Sequence, residues 1–503
     1  MIPLMLDEIA EAIGAEVAGD DASQTKRPQC SATGVSIDSR RVRCGDLFVA
    51  IAGENHDGHA FVAAAIQAGA VAAVVQQGYV RPADLDSHAI LLVVDDPVVS
   101  LGRLGRFHRR QLAADVIGVT GSNGKTTTRD MITHVLRDRW RGRCAVKSFN
   151  NEIGVPLTLL SAEASDEFLV VELGTNAPGE IDTLARLAMP EIAVVTGVAP
   201  AHLERLGNIE GVVREKLSLL KHVRAGGCAI VNTDHELVRE HLAHMMRPAK
   251  GVAALPKDVK VITFGRHADA DLRLTAVRTV GAGPGAPDNG RSLPSLEFEV
   301  NGKFTYRLGV LGAHNAMNAL AAIAVGRRFG LDDAAIAERL DPANGFVLPS
   351  MRLEHRRGGP DGRIDVIVDV YNANPASVAA AIDVLSTFPC VAPGRRVLVL
   401  GDMRELGSHA DSLHQDVARR AAEGGVDVML AVGAHADRMA TAVRAWQRDG
   451  VPRRAMDVHT VADAEAAAGM MTGLCRSGDV VLVKGSRLLA LERVAEALML
   501  QPH

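Results

Sequence analysis

The sequence predicts an α/β protein of three domains, and three observations lead to that class. The chain has 503 residues, well above the size at which a single hydrophobic core stops growing, so several domains are expected. Short apolar runs typical of buried strands alternate with helical segments along most of the chain, as in doubly wound parallel sheets. One of these strands leads into a glycine-rich turn that opens a helix.

Composition excludes several classes of protein. Apolar residues make up 47% and charged residues 23%, values that exclude wholesale disorder, a collagen-like fibre and a coiled coil. A net charge of −5 provides no basic field, so we expect no nucleic-acid partner. No apolar run is long enough to span a membrane, and Met1–Leu6 is too short for a signal-peptide core, so we expect no membrane insertion. The six cysteines form no C-x-x-C pair, which favours a reducing, cytoplasmic location.

The first block, residues 1–108, is predicted to be a small α/β domain. Asp46–Ile51, Val71–Val75 and Ile90–Val94 have the composition of buried strands, and Phe61–Ala70 has apolar residues at helical spacing.

The second block, residues 109–346, is predicted to be a central doubly wound sheet of the P-loop type. Met131, Ile132, Val135, Leu136 and Trp140 are expected on one face of the helix after the glycine-rich turn. The expected strands are Asp115–Thr120, Phe168–Leu173, Ile192–Thr196 and Cys228–Asn232. Near the end of the block, period-two patterns on both sides of Asn301-Gly302 predict an added antiparallel hairpin with a type I′ turn, next to a surface loop at Gly281–Gly290.

The third block, residues 347–503, is predicted to be a second, Rossmann-like α/β domain. No G-x-G-x-x-G follows its first strand, so a dinucleotide site is not supported. The expected strands are Asp365–Val370, Arg396–Leu400, Val426–Val432 and Asp479–Val483.

The sharpest local signal is a phosphate loop at the start of the second block. Glycines there allow backbone N–H groups to converge on phosphate oxygens at a helix N-terminus. Lys125 would bridge the terminal phosphates, and Thr126 would offer its hydroxyl to Mg²⁺. The strict Walker pattern requires glycine where this chain has Val119, so the loop is a variant, and an ordinary glycine-rich turn is the alternative. The residues of the loop are Thr120, Gly121, Ser122, Asn123, Gly124, Lys125, Thr126 and Thr127.

Three further residues are candidates on weaker grounds. Glu172 ends a buried strand, where a P-loop site needs a carboxylate for its metal. His202 follows another strand after a short loop, and Lys216 lies in the helical stretch Glu210–Leu220. Taken alone, each of the three has an ordinary structural or solvated interpretation.

Together these motifs resemble the Mur ligase family, whose members use ATP to join amino acids to the UDP-linked peptidoglycan precursor. The resemblance extends over essentially the whole chain. The matching elements are the loop Thr120–Thr128 with its missing first glycine, Asn150–Pro156, Glu172–Gly174, Ala201–Glu204, Arg214–Leu220 and Gly312–Leu320.

Other stretches resemble one kind of Mur ligase, the kind that adds D-alanyl-D-alanine to a UDP-linked tripeptide. These are Gly174–Ile181, in which Thr175 stands where alanine is usual, Tyr371–Pro375 and Val483–Arg487. The D-N-P-R element typical of the ligase that adds the third residue is absent from the sequence. Asp38–Arg40 and His56–Gly58 resemble the uridine-nucleotide-binding block that both kinds share.

The resemblance implies an amide-forming ligase that works through an acyl phosphate in cytoplasmic peptidoglycan precursor synthesis. Its substrates would be ATP, UDP-N-acetylmuramoyl-tripeptide and D-alanyl-D-alanine, and a monomer is expected. In this picture the first domain grips the UDP substrate, the central domain binds ATP, and the third domain closes over ATP and binds the dipeptide.

The resemblance also assigns residues. Catalytic roles are implied for Lys125, Glu172, His202 and Lys216, and two Mg²⁺ sites for Thr126, Glu172, His202 and Lys216, the lysine being carbamylated. Nucleotide contacts are implied for Gly121 to Thr127, Asn315, Asn318, Arg352, Asp369 and Tyr371. Substrate contacts are implied for Ser39, Arg40, Asp57, Gly58, Asn151, Asn176 and Lys484.

Three alternatives remain open. The chain could be the ligase that adds the third residue, although the absence of D-N-P-R argues against it. It could be a folylpolyglutamate synthetase-like enzyme, although the uridine block argues against that. Outside enzymes, the P-loop could serve a nucleotide-dependent switch, for which the His202 and Lys216 elements would have no evident use.

Overall fold

The computed structural model describes residues 1–18, 30–53, 56–146, 148–247, 254–281, 294–450 and 455–499. None of the helices in these stretches combines the length and the apolarity that crossing a bilayer requires. The predicted surface loop at Gly281–Gly290 lies, beyond Gly281, outside the described residues.

The first domain is built on a mostly parallel five-stranded sheet. The elements are β1 (Leu4–Met5), α1 (Leu6–Ile13), β2 (Glu16–Ala18), β3 (Ser31–Ala32), β4 (Gly34–Ser36), β5 (Asp46–Val49), α2 (Val62–Gln67), β6 (Ala72–Gln76), β7 (Leu91–Val94) and α3 (Pro97–Gln111). The strand order is β2-β7-β6-β5-β4, with β2 antiparallel to β7 and the other pairs parallel. A separate antiparallel pair joins β1 to β3.

The central domain contains a nine-stranded sheet. Its strands are β8 (Asp115–Thr120), β9 (Gly142–Cys144), β10 (Phe168–Glu172), β11 (Ile192–Val195), β12 (Cys228–Asn232), β13 (Lys260–Gly265), β14 (Leu272–Val280), β15 (Ser295–Val300) and β16 (Phe304–Leu308). The order is β16-β15-β14-β13-β12-β11-β8-β10-β9, parallel from β9 to β14 and antiparallel through β15 and β16.

Helices cover both faces of the central sheet, which explains why its inner strands are continuously apolar. The helices are α4 (Lys125–Leu136), α5 (Gly154–Ser161), α6 (Glu180–Ala188), α7 (Leu203–Leu206), α8 (Ile209–Leu217), α9 (Glu236–Met246), α10 (His314–Arg328) and α11 (Asp333–Leu340). Residues of α4, α10 and α11 share one core with the sheet, and residues of α5, α6, α8 and α9 share the other.

The third domain has a six-stranded sheet with helices on both faces. Its elements are β17 (Glu354–Gly358), β18 (Ile364–Asp369), α12 (Pro375–Thr387), β19 (Arg396–Gly401), α13 (Ala410–Glu423), β20 (Val428–Val432), α14 (Ala436–Asp449), β21 (Asp457–Val461), α15 (Ala464–Leu474), β22 (Val480–Lys484) and α16 (Glu492–Met499). The order is β17-β18-β22-β19-β20-β21, and β17 is the antiparallel strand at its edge. The predicted α/β class with three domains is therefore confirmed.

Helix α3 fastens the first domain to the central one. It packs along α5, and the fully buried Arg109 near its end donates through Nε to the carbonyl of Ala188 at 2.8 Å. Nη2 of Arg109 also bonds the carboxylate of Glu191 at 2.6 Å. The predicted boundary after residue 108 falls inside this helix, because α3 continues to Gln111 to make these contacts.

Local details confirm some predictions and correct others. Asn301 and Gly302 both have positive φ, 57° and 66°, and Lys303 N donates to Val300 O at 3.1 Å, as a type I′ turn requires. The prediction that Trp140 lies on the helix after the phosphate loop was wrong, since α4 ends at Leu136. Trp140 still packs against that core, with its ring centroid 5.3 Å from that of Phe329.

Candidate active site

A cavity of about 1040 Å³ lies where the central and third domains meet. From the central domain it is lined by the phosphate loop, the ends of β10 and the segments that follow, His202 and the start of α10. From the third domain it is lined by Arg352, Asp369, Tyr371, Glu405 and Lys484, among others. The cavity brings together most of the residues predicted for the nucleotide and the metals.

The phosphate loop has the backbone shape that its glycines predict. Gly121 and Gly124 have φ of 152° and 80°, and α4 begins at the next residue, Lys125. A Cβ on Gly124 would stand 2.2 Å from Oδ1 of Asn318, and one on Gly121 would stand 2.0 Å from Oγ1 of Thr196. Glycine is therefore required at both positions on steric grounds. Val119, which replaces the first Walker glycine, is a fully buried residue of β8.

Lys125 is turned back onto its own loop. Its Nζ donates to the carbonyl of Gly121 at 2.8 Å. Burial lowers the pKa of Lys125, while the carboxylate of Glu172 acts in the opposite direction. Lys125 is therefore a partly desolvated cation held at the mouth of the loop, not a lysine facing solvent.

Glu172 and Thr126 form a buried pair of oxygens beside the loop. Thr126 Oγ1 donates to Glu172 Oε2 at 2.9 Å, and Asn150 Nδ2 donates to Glu172 Oε1 at 2.9 Å. Arg129 lies 3.5 Å from the same carboxylate. A hydroxyl and a carboxylate are hard oxygen donors, so this pair has the chemistry that Mg²⁺ requires.

Lys216 is fully buried on α8, which ends one residue later and continues as a 3₁₀ turn at Ser218–His222. Its Nζ has no hydrogen-bond partner among the described residues. Burial, and next the charge of Lys125, lower the pKa of Lys216 well below its ordinary value. Its neighbour Glu215 is fully engaged, accepting from Gly179 N at 2.7 Å and Ile181 N at 2.8 Å. Lys216 is thus a buried amine without a hydrogen-bond partner in the described part of the chain, in surroundings that disfavour its charged form.

His202 is hydrogen-bonded to Glu405, a residue of the third domain that was not predicted from the sequence. Its Nδ1 forms a very short hydrogen bond with Oε2 of Glu405, and both residues line the cavity. The hydrogen bond from His202 holds the pKa of Glu405 below its ordinary value.

Three other side chains of the third domain contact the central domain, two of them at the phosphate loop itself. Arg352 Nη2 donates to Thr126 Oγ1 at 3.0 Å, and its guanidinium lies 4.1 Å from the ring centroid of Tyr371. Tyr371 in turn forms a very short hydrogen bond with Ser148. Asn374, the N-cap of α12, donates to Asn123 Oδ1 at 2.7 Å. The two domains are closed against each other at the loop.

Asn315 and Asn318, predicted near the adenine, are buried on the first turns of α10. Asn318 donates to Asn315 Oδ1 at 2.8 Å and accepts from Thr128 Oγ1 at 3.3 Å. They therefore brace α10 against the phosphate loop while lining the cavity.

Three predicted residues have structural partners as well as a place in the cavity. Nζ of Lys484 is fully buried and lies 3.0 Å from Oδ2 of Asp369. Asn151 Oδ1 accepts from N of Gly154, the first residue of α5, at 2.9 Å, and the backbone N–H of Asn176 donates to Glu180 Oε2 at 2.7 Å.

The candidates of the first domain do not reach this cavity. Ser39 and Arg40 lie on a 3₁₀ turn after β4, and Asp57 and Gly58 lie at a 3₁₀ turn that begins after β5. The Arg40 side chain is 86% exposed and pairs with Asp38 at 2.9 Å, which lowers the pKa of Asp38 to about 2. Because β4 and β5 are parallel neighbours, both turns follow the carboxyl edge of the same sheet.

Among the cavity residues that sequence reasoning missed are four that bond predicted site residues: Asn150, Ser148, Asn374 and Glu405. Asn150 and Asn374 belonged to motifs that were recognised, but the partner of each is distant in sequence. Ser148 and Glu405 carried no signal of their own.

Comparison with known proteins covers all three domains. The model "Mur ligase family, catalytic domain" matches residues 31–101, "Mur ligase middle domain" matches 119–326, and "Mur ligase, glutamate ligase domain" matches 351–487. A relative from Bacillus subtilis (strain 168), named UDP-N-acetylmuramoyl-tripeptide–D-alanyl-D-alanine ligase, is 32% identical over 504 residues, covering 100% of both chains. The chain belongs to the Mur ligase family.

Solved Mur ligase structures share the whole architecture. A crystal structure of MurF from Acinetobacter baumannii has a TM-score of 0.81 at 27% identity, covering 99% of both chains. MurF ligase from Thermotoga maritima in complex with ADP has a TM-score of 0.73 at 26% identity, covering 92% of this chain and 96% of that one. As a Mur ligase, the chain therefore has the fold of relatives that include one solved with a bound adenine nucleotide.

Proposed function

We propose that this Mur ligase joins D-alanyl-D-alanine to UDP-N-acetylmuramoyl-tripeptide with ATP, in the cytoplasm, during synthesis of the peptidoglycan precursor. The observation that carries the proposal is the end-to-end likeness to a relative of that name, 32% identical over 100% of both chains. The cavity fits the chemistry of the reaction but does not by itself select the amine.

The reaction asks for activation of a carboxylate, which is a poor electrophile at neutral pH. In the first step a carboxylate oxygen of the tripeptide attacks the γ-phosphorus of ATP, and ADP leaves. In the second, the amine of the dipeptide attacks the acyl carbon, loses a proton, and inorganic phosphate leaves. Such phosphoryl transfer depends on positioning and charge neutralisation, which Lys125 and the amides of Gly121 to Thr127 would supply at the phosphates.

Mg²⁺, when bound, supplies positive charge to the phosphate oxygens. Thr126 and Glu172 would hold one ion, and their mutual distance of 2.9 Å supports this because both oxygens already converge. Glu172, His202 and Lys216 would hold a second.

We also propose that Lys216 is carbamylated, and its surroundings support this. A buried ammonium beside cations is disfavoured, whereas a neutral amine is a nucleophile for CO₂. Addition of the amine nitrogen to the carbon of CO₂ releases one proton and leaves an anion with two oxygens, which are ligands suited to Mg²⁺. The orphaned Nζ supports the proposal, since no acceptor among the described residues otherwise satisfies it.

The first domain is proposed to grip the UDP end of the substrate. Ligands of open α/β sheets bind outside the carboxyl ends of parallel strands, and Ser39, Arg40, Asp57 and Gly58 lie beyond such ends. We propose a UDP-binding domain at 1–108, whose last helix α3 continues to Gln111, an ATP-binding domain at 109–346 and a closing domain at 347–503. Asn151, Asn176 and Lys484 are proposed to contact the peptide part of the substrates.

Closure of the third domain would complete the nucleotide site and exclude water from the acyl phosphate. Arg352, Asp369 and Tyr371 would contact the nucleotide from that side, and Asn315 and Asn318 from the central domain. The contact of Arg352 with Thr126 supports this arrangement. We propose a monomer.

Mass spectrometry of the product formed from ATP, the UDP-tripeptide and a panel of D-dipeptides tests the proposal. The expected product gains the mass of the dipeptide minus water, and phosphate is released only when both the UDP-tripeptide and the amine are present. Phosphate release from ATP alone would favour a nucleotide switch. A product formed with a diamino acid and a UDP-dipeptide would favour the ligase that adds the third residue.

A further inference from the structure

We infer that Glu405 of the third domain is a positioning residue for His202, so that the metal site to which His202 contributes is complete only when the third domain is closed. The inference rests on the proposed function, in which His202 is a metal ligand, and adds a residue from another domain to that site.

The hydrogen bond determines which ring nitrogen of His202 carries a proton. An ionised carboxylate only accepts hydrogen bonds, so the bond between Glu405 Oε2 and His202 Nδ1 requires that Nδ1 carries the proton. In the neutral ring the lone pair is then on Nε2, and no bond in the described part of the chain engages that nitrogen. A carboxylate that orients a histidine in this way is a recurring support for metal-binding histidines.

The backbone conformations of His202 and Glu405 indicate that their contact is a built-in feature of the fold. His202 has φ of 55° and Glu405 has φ of 63°, so two residues that are not glycine both lie in the left-handed region. Such conformations cost free energy and persist where the surroundings determine them. Beside the pair, Gly407, with φ of 55°, approaches Glu204, since a Cβ on the glycine would lie 3.5 Å from Cα of Glu204.

The loop that carries Glu405 is anchored from within the third domain. Met403 N donates to Nε2 of the fully buried His414 at 2.8 Å, and Met403 and Leu406 are themselves buried. Asp402 accepts from Ala434 N at 2.8 Å and from His435 N at 3.0 Å. The carboxylate of Glu405 is therefore presented by a loop fixed to its own domain, and it moves toward or away from His202 with that domain.

Closure and metal binding are coupled by this geometry. With the third domain open, His202 loses its acceptor and its ring is free to rotate, which weakens its binding of a cation. With the domain closed, the ring is held with Nε2 available. ATP loaded before closure would thus lack part of its metal site until the enzyme is assembled around it.

A double-mutant cycle tests the inference by metal binding. Electron paramagnetic resonance measures the affinity for Mn²⁺ of the full chain with a non-hydrolysable ATP analogue and the UDP-tripeptide. Glu405→Ala and His202→Ala are each expected to weaken one Mn²⁺ site roughly tenfold or more, and the double variant no further than His202→Ala alone. Glu405→Gln, which keeps an acceptor oxygen for Nδ1, should retain most of the affinity. Glu204→Gln, which removes a negative charge at the same interface, should bind as the wild type does.

Other outcomes overturn the inference. Wild-type affinity in Glu405→Ala, or losses that multiply in the double variant, would show that Glu405 does not act through His202. Wild-type affinity in His202→Ala would remove His202 from the metal site and this inference with it. Because no ligase turnover is measured, these results are independent of the product assay that tests the proposed function.

Discussion

Two buried lysines, Lys216 in the central domain and Lys484 in the third, differ in what surrounds their amines. Both are essentially inaccessible to solvent, and burial lowers the pKa of each. Lys484 has Asp369 at 3.0 Å and the carbonyl of Asn372, whereas no partner is found for Lys216 among the described residues. Lys484 is thus satisfied by the protein alone, whereas the amine of Lys216 is left without a partner in the part of the chain that the structure describes, and the proposed carbamate would fill that place.

Lys216 is the lysine whose substitution should reduce turnover most. Lys216→Ala should lower turnover by roughly a thousandfold or more, because it removes a proposed ligand of the second Mg²⁺. A small carboxylate in the buffer should partly restore turnover by filling the vacated anion position, and it should restore nothing in Lys484→Ala. A Lys216→Ala variant with normal turnover would refute the carbamate proposal.

Lys125 differs from both lysines, because its amine donates to a backbone carbonyl, that of Gly121. Lys125→Ala should lower turnover by about a thousandfold, since it removes the charge proposed to act on the developing phosphate charge. Thermal unfolding should change little, because only one hydrogen bond, to Gly121, is lost. Retention of more than a tenth of the wild-type rate would argue against the role of Lys125 at the phosphates.

Matched methionine substitutions should separate Lys484 from Lys216 by their effects on the free energy of unfolding. Lys484→Met leaves the carboxylate of Asp369 without its partner and should lower the free energy of unfolding by about 3 kcal/mol. Lys216→Met, compared with the wild type in CO₂-free buffer, removes an unsatisfied buried amine and should leave stability unchanged or raise it by about 1 kcal/mol. Denaturant unfolding of both variants checks this, and equal losses in the two would contradict the distinction.

His108 is a buried base whose protonation at low pH should lower the stability of the fold. Burial lowers the pKa of His108 to about 4, and its Nε2 accepts from Ile2 N at 3.0 Å. The unfolded chain therefore binds the proton more readily, so this contribution to stability is complete above the ordinary histidine pKa and is lost as the pH falls toward 4. The loss should be on the order of 3 kcal/mol. His108→Gln, which keeps an acceptor, should show a flatter stability profile, and an unchanged slope would count against the assignment.

Arg40 lies in the exposed part of the proposed substrate site, and its substitution should have only a small effect on kinetics. Arg40→Ala should raise KM for the UDP-tripeptide severalfold to roughly tenfold and leave KM for ATP nearly unchanged. Steady-state kinetics with each substrate varied in turn measures both. Equal changes in the two constants would indicate that Arg40 supports the fold of its turn with Asp38.

The sequence was most informative where the cause of a structure is local. Asp115–Thr120 and Cys228–Asn232 were predicted at their observed bounds, because strands buried on both faces are continuously apolar. β17 and β21, which are edge strands with few fully buried residues, gave no such pattern. Glu172 was found because a P-loop requires an acid at a strand end. Glu405 could not be found, because its partner His202 is 203 residues away and belongs to another domain.

The helix shared by the first and central domains has a mechanical consequence. α3 begins in one domain and ends with Arg109 bonded to Ala188 and Glu191 of the other, so a change in the angle between these two domains would have to break buried bonds. The helix therefore restrains the spacing between the phosphate loop and the turns proposed to hold the uridine nucleotide. A restrained span of this kind would act as a ruler for the length of the peptide that connects the two ends of the proposed substrate.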